Sequence, residues 1–390
     1  MTGAPYAGAD PFANPPRGLS EPHPAPAALR AAGPIVRADA YGGGPVWIVT
    51  DDALARKVLT DPRLVKDPAY APPSWDPHIV GLEPPAAEHL SLTTVDGPEH
   101  TRLRRAHAGL FSARRMREHA DRTTEIVRRL LAEVADDQVD LMADFTTRVP
   151  LTVLFDLLGI PLDRVDQAID ACQRMVHGAP DEIGGSIAAL EELAAESLRD
   201  GRHGLAAELR DHVPDEVTDV QLRYLIFGLI FAGQLTTEAA IGFLVAHLLD
   251  PDRPVDGVTI DDLVQETLRL HPPAPFTLWR FATTDLELAG VAIPAGSPVL
   301  VDIQGINTAP GRAKGQDLTF GAGPHYCLGA HLAQVELSAI ARVLRADFPD
   351  ARLAVPYREL RQAGEVGIIG GRLTALPVTL RPGSSGAQGG

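Results

Sequence analysis

Phe320-Gly321-Ala322-Gly323-Pro324-His325-Tyr326-Cys327-Leu328-Gly329 decides how the rest of the chain reads. One cysteine sits among small residues, and an apolar helix-forming run (Leu328, Ala330, Leu332, Ala333, Val335, Leu337, Ile340, Leu344) follows at once. Glycine has no Cβ, so this backbone can turn tightly and come close to a bulky planar partner. A helix N-terminus just beyond the cysteine favours negative charge on its sulfur. Without such neighbours a lone cysteine is usually a small buried hydrophobe.

Outside this loop, composition narrows the class. The 390 residues carry a net charge of −16 with a pI near 5.2, which speaks against a nucleic-acid binder. With 45% hydrophobic and 22% charged residues the chain reads as globular. The two cysteines, Cys172 and Cys327, give no disulfide framework and suit a reducing compartment. Met1 to Arg17 is rich in Ala, Pro and Gly without a signal-peptide core, so a cytoplasmic location is expected. The apolar run Leu222 to Leu249 is long enough to span a bilayer. However, Gln234, Thr236, Thr237 and Glu238 sit at its centre, which predicts a helix crossing a protein core rather than a membrane.

Residues 1–17 and the Gly/Ser-rich tail 381–390 are expected to be disordered, around a single domain spanning 18–380. Two short strands are predicted about Gly42-Gly43-Gly44, then a helix from about Asp51 to Leu59. The proline-rich stretch 67–95 reads as a long irregular loop. Helical periodicity dominates from Pro98 to Leu249, and another helix ends before His271-Pro272-Pro273. Residues 277–301 alternate like strands, and 352–380 are rich in β-type residues. The fold class is mainly α with small β sheets, an α+β unit without βαβ rhythm.

Phe-x-x-Gly-x-x-x-Cys-x-Gly resembles the haem-binding loop of cytochrome P450 monooxygenases. The resemblance implies a helical prism with haem b bound through Cys327, and cofactor contacts from Phe320, Gly321, Gly329 and His325. Pro98-Glu99-His100-Thr101-Arg102-Leu103-Arg104-Arg105 resembles the family's propionate-binding helix, with His100 and Arg104 four apart on one face. Arg280 matches a further propionate contact. Glu266-x-x-Arg269 matches the second family signature; residue spacing alone gives a shared helix face. In the family that pair is buried beneath the haem.

Ala232-Gly233-Gln234-Leu235-Thr236 resembles the family's Ala-Gly-x-acid-Thr stretch. It assigns Gly233 to the distal face and Thr236 to proton relay, but Leu235 stands where the acid belongs. Glu238 is the expected substitute. A Thr236 hydroxyl bonded to a carbonyl of its own helix is the plain alternative. The segments between Thr236 and Glu266 and between Pro310 and Phe320 are also shorter than in the family, and Arg312 is a candidate stand-in beside Glu266 and Arg269.

The resemblance further implies a monomer that uses O2 and electrons from NAD(P)H through a reductase and ferredoxin. The ferredoxin would dock on Arg102, Arg105, Arg114, Arg115 and Arg117. The substrate expectation is a hydrophobic or aromatic small molecule of natural-product biosynthesis, free or tethered to a carrier protein. Its expected contacts are the 74–92 loop, Met175 to Ile187, Phe231 to Gly233, Pro275 to Leu278 and Val366 to Ile369. Oxidative coupling or rearrangement, and a non-catalytic partner protein, are the alternative functions.

Overall fold

A computed structural model of the chain describes residues 6–76, 89–134, 138–177, 180–199, 203–252, 257–312, 315 and 317–381. Five helices and one sheet position the cavity. They are α1 (Gly97–Ala108), α2 (Arg148–Leu158), α3 (Asp219–Leu248), α4 (Ile260–Leu270) and α5 (Ala330–Asp347). Each boundary has a local cause. Thr218 and Gln221 form a reciprocal capping box at the start of α3, with Gln221 N–H on Thr218 Oγ1 at 3.3 Å and Thr218 N–H on Gln221 Oε1 at 2.9 Å. Thr259 caps α4 by accepting from Asp262 N–H at 3.0 Å, and the helix stops at His271, the residue before Pro272.

The 30 residues of α3 make a helix roughly 45 Å long. By length and composition it could cross a membrane, yet 72% of its apolar window is buried inside the protein. Its residues Tyr224, Phe227, Ile230, Phe231 and Ile241 join α2 and α5 in the main core. Helix α3 is thus apolar on nearly all sides because protein surrounds it.

The largest sheet contains β1 (Ile35–Asp39), β2 (Pro45–Val49), β3 (Leu64–Val65), β4 (Arg280–Ala282) and β5 (Pro298–Val301), in the order β1-β2-β5-β4-β3. Strands β1 and β2 pair antiparallel about the glycine turn, as their spacing predicts, and β2 runs parallel to β5. Strand β4 matters most for function. It pairs with both β5 and β3, which places Arg280 beside the chain leaving Val65.

The segment ahead of Arg17 departs from its expected disorder. Phe12 is fully buried, 5.3 Å from Tyr41 and 5.2 Å from Phe276 between ring centroids. Asn14 Nδ2 donates to the carbonyls of Glu365 at 3.0 Å and Ile369 at 3.1 Å, and Arg17–Gly18 pairs with Arg361–Gln362. Ala- and Pro-rich composition predicts fraying, but one buried aromatic and one amide supply long-range anchors that composition does not show. At the other end, the tail expected to be disordered lies outside the described residues from 382 onward.

Candidate active site

Cys327 lies in the wall of a cavity of about 350 Å³ enclosed by α3, the loop 318–329, the start of α5 and β4. The loop is held by its own backbone: Cys327 N–H donates to Phe320 O at 2.8 Å and Gly321 N–H to Leu318 O at 2.8 Å. Gly321 and Gly323 both have φ near 72°. A Cβ on Gly323 would stand 2.7 Å from Leu59 O, so only glycine lets the loop pass this close. Phe320, Gly321 and Gly329 all border the cavity, as expected.

The Cys327 side chain is exposed and borders the open cavity, yet protein is packed densely around its sulfur. Burial pushes the thiol up. Gly329 N–H, the Arg104 guanidinium and Ala330 N–H pull the other way without winning. The expected helix-terminus donors to sulfur are therefore present, and desolvation outweighs them.

One end of the cavity is cationic. Arg280 on β4 is buried and lines the cavity; burial lowers its pKa to about 10 although Asp96 favours its charge. Arg104 also lines it and donates to Tyr326 O, joining α1 to the cysteine loop. His325 borders the cavity and donates through Nε2 to Asp96 Oδ1 at 3.0 Å. Burial drops the His325 pKa to about 4, with Asp96 opposing, so the ring is neutral at pH 7. His100 does not border the cavity: its ring lies tilted by 33° against that of His325, 4.0 Å between centroids, and burial lowers its pKa also.

Three groups at this site escaped sequence reasoning. Lys66, which is 6% exposed, lines the cavity, and its backbone N–H donates to Asp96 Oδ2 at 2.6 Å. Asp96 stands just ahead of α1 and accepts from Lys66, Asp67 and His325 together. Burial raises the Asp96 carboxyl, but these donors outweigh it and hold the group below its ordinary value. Glu336 on α5 is buried in the cavity wall, with Oε1 unpartnered. Burial alone raises its carboxyl well above its ordinary value. A usable signal existed for Lys66: the chain has three lysines among 35 basic residues.

Along α3, Gly233, Thr236 and Thr237 border the cavity. A Cβ on Gly233 would lie 2.8 Å from Leu154 Cδ1, so the glycine lets α3 and α2 approach closely. Thr236 Oγ1 donates to Ala232 O at 2.9 Å within its own helix. Glu238 differs from expectation. It does not line the cavity, and its carboxylate accepts from Gln234 Nε2 at 2.5 Å and from Arg372 Nη1. A helix advances about 100° per residue, and residue 238 faces the chain's C-terminal β region rather than the cavity.

Glu266 and Arg269 do pair, with two hydrogen bonds of 2.7 Å, and Arg269 Nη1 also donates to Asn307 O at 2.6 Å. The pair is not sealed from water, since the Glu266 side chain is 41% exposed. Arg312, the suggested stand-in, forms an ion pair with Asp52 at 3.0 Å. Of the expected substrate-contact regions, Ser91, Leu92, Ala232, Gly233, Phe276, Thr277 and Leu278 border the cavity. Met175, Ile187 and Phe231 belong instead to the main core, Val366 is exposed, and residues 77–88 lie outside the described residues.

A long core helix facing a cysteine loop across an apolar cavity, with a cationic end, is the plan of a haem-thiolate oxygenase. The chain belongs to the cytochrome P450 family and is an oxidoreductase of the monooxygenase kind. A cytochrome P450 family model matches residues 259–312. Cytochrome P-450 monooxygenase DoxA from Streptomyces sp. (strain C5) is 42% identical, across 97% of this chain and 99% of its own length. Vitamin D(3) 25-hydroxylase from Pseudonocardia autotrophica is 33% identical, across 93% and 95%. The solved structure of CYP154C4 from Streptomyces sp. W2061 superposes with a TM-score of 0.82 at 27% identity, covering 97% of this chain and 98% of that one. Family membership brings haem iron and O2, and the relatives are bacterial enzymes of secondary metabolism.

Proposed function

We propose that Cys327 is the proximal thiolate ligand of a haem b and that the enzyme oxidises a hydrophobic or aromatic small molecule made in natural-product biosynthesis. The observation that carries this is a cysteine sulfur facing a largely apolar cavity that Arg104 and Arg280 also line. The donor set fits the group: a soft sulfur for iron, cations for two propionates, and an apolar wall for the ring. Metal coordination would hold the thiol deprotonated against the pull of burial. When bound, the haem supplies the O2-activating redox chemistry.

The chain's own residues supply the rest. Gly329 and Ala330 N–H groups hold negative charge at Cys327 Sγ, and His325, fixed by Asp96, presents a neutral ring to the cofactor edge. Thr236 and Thr237 bring the hydroxyls of α3 to the cavity, where Thr236 Oγ1 can accept a proton-bearing group while donating to Ala232 O. Leu229, Leu278, Phe276 and Leu225 exclude water and orient an apolar substrate. That reading agrees with a relative named for vitamin D(3), itself a large apolar molecule.

Electrons would come from NAD(P)H through a reductase and ferredoxin in the cytoplasm. Support comes from α1, whose Arg104 turns inward to the cysteine loop while Arg102 and Arg105 are exposed on the same helix. Arg114 and Arg117 are exposed as well, with Arg114 lying 3.8 Å from Glu118, whereas Arg115 is engaged by Glu208. An acidic partner would be steered to this face.

The test is the absorption spectrum of dithionite-reduced protein under carbon monoxide. A red-shifted Soret band in the wild type that is lost in Cys327→Ala, with haem still bound, supports thiolate ligation. The same band in the variant refutes it. Oxidative coupling is the second reading, favoured by Leu235 at the acid position and by Glu238 facing away. Product analysis showing no incorporated oxygen from O2 would select it.

A further inference from the structure

Pro273, Phe276, Thr277 and Leu278 form a cavity wall of irregular chain between α4 and β4. One side of this wall is held by an isolated bridge from Phe276 to Asp302. Gln304 N–H on Pro275 O at 3.0 Å and Thr277 N–H on Val301 O at 3.1 Å hold the same side. Support from the other side leads back to the start of the chain. Gly370 N–H donates to Pro273 O at 2.8 Å, and a Cβ on Gly370 would stand 3.2 Å from Pro272 O, Pro273 O and Pro275 Cδ. The turn 364–371 thus lies flat on the wall. It is fastened in turn by Asn14, whose amide donates to Glu365 O and Ile369 O. Gly364 N–H donates to Asn14 O at 3.1 Å and Gly367 N–H to Phe12 O at 3.0 Å. The Phe12 ring backs that of Phe276, 5.2 Å away and inclined by 45°, in one buried cluster with Trp279 and Ile368. Neither Phe12 nor Asn14 borders the cavity.

We propose that residues 6–18 form a strap that sets the shape of the substrate wall, with Phe12 and Asn14 as positioning residues acting through Phe276 and Pro273. The proposal rests on the haem reading above for its spectroscopic probe. The strap is fastened at both ends, by Tyr6 N–H on Arg37 O at 2.7 Å and by the pairing of Arg17–Gly18 with Arg361–Gln362. A side chain in a binding wall recognises its ligand best when packing behind it locks its rotamer. Without Phe12, the Phe276 ring gains freedom that ligand binding must then remove. Asn14 spends both amide protons on carbonyls four residues apart, which fixes the width of the turn. An aspartate there keeps the shape but has no N–H, and sets an anion against two carbonyl oxygens.

The experiment compares wild type, Phe12→Ala, Phe12→Leu and Asn14→Asp as full-length, haem-loaded proteins. Each is titrated with imidazole and with 4-phenylimidazole, and the shift of the Soret band reads binding. Both azoles ligate iron through nitrogen, but only the second carries a ring that must fit against the wall. In Phe12→Ala and Asn14→Asp the Kd for 4-phenylimidazole should rise by about fivefold, the scale of one aromatic contact. Its dissociation, followed by stopped flow, should quicken, while the Kd for imidazole stays that of the wild type. Phe12→Leu, which refills the space behind Phe276, should fall between wild type and Phe12→Ala. An unchanged ratio of the two Kd values in folded variants would overturn the proposal, even beside a lower melting temperature, because the strap would then be a tie and nothing more. If Phe12→Ala does not fold, the same ratio in Asn14→Asp decides. A wild type whose spectrum responds to neither azole would instead sink the haem reading itself.

Discussion

Gln234 donates to Glu238 at 2.5 Å across one turn of α3, and both side chains are buried on the face turned from the cavity. Arg372 closes the group from the C-terminal β region. Glu238 is therefore a tie between the central helix and that region. Glu238→Gln should lower the thermal midpoint, because Arg372 loses its anion and a buried network is left half satisfied. Coupling of reductant consumption to product should stay within about twofold. Collapsed coupling at an unchanged melting temperature would restore the proton-relay role.

Gly233 has its missing Cβ aimed at Leu154 Cδ1, 2.8 Å away. The far end of a leucine can yield, so Gly233→Ala should cost about 1 kcal/mol of stability. Because both residues border the cavity, substrate affinity should change as well. Gly233→Ala in a Leu154→Ala background should cost less than in the wild type, as expected of residues that share one contact. Strict additivity in thermal or urea melts would show that the helices do not meet here as described.

Fold class and the chemistry of the site were legible for different reasons. Residues 320–329 carry their geometry locally: positive φ at Gly321 and Gly323 and a helix start at Gly329 follow from residue type. Caps at Thr218 and Thr259 are similarly local. Glu238 was misplaced because i, i+3 spacing says which residues share a face but not what that face meets; Arg372 is 134 positions away. Lys66 and Asp96 join the site through strand pairing and a side chain that spans 30 positions, neither of which leaves a periodic trace. Phe12 escaped for the same reason, as its partners Tyr41 and Phe276 come from distant strands and loops.

Glu266 and Arg269 form a two-point contact that also holds the carbonyl of Asn307. Asn307 in turn accepts Leu318 N–H at 2.7 Å and donates to Thr319 at 3.0 Å, so the pair anchors the approach to the cysteine loop. Arg269→Ala should cost about 2–3 kcal/mol, the range for charged hydrogen bonds lost from a partly buried site. Arg269→Lys should recover only part of it, because an ammonium cannot bridge both oxygens and the carbonyl. Melting curves of haem-loaded protein measure this, and a full rescue by lysine would mean that charge alone matters.

Asp302 predicts a pH dependence of stability. Its side chain is 1% exposed, Oδ1 accepts Gly305 N–H at 2.7 Å, and Oδ2 has no partner. Burial raises its pKa from 3.8 to about 7, with Gly305 N–H and the Arg30 charge opposing. Between those two values the native state binds a proton that the unfolded chain has released. Stability therefore falls as pH rises through that window and levels off above 7. About three pKa units at 1.36 kcal/mol each set an upper bound of roughly 4 kcal/mol. Asp302→Asn keeps the acceptor for Gly305 but cannot ionise, so its melting temperature should change less between pH 5 and pH 8 than the wild type's. The comparison needs both proteins at both pH values, since other groups titrate equally in each. Equal pH dependence in the two proteins would show that Asp302 is ionised, and so partnered or solvated, in the native state.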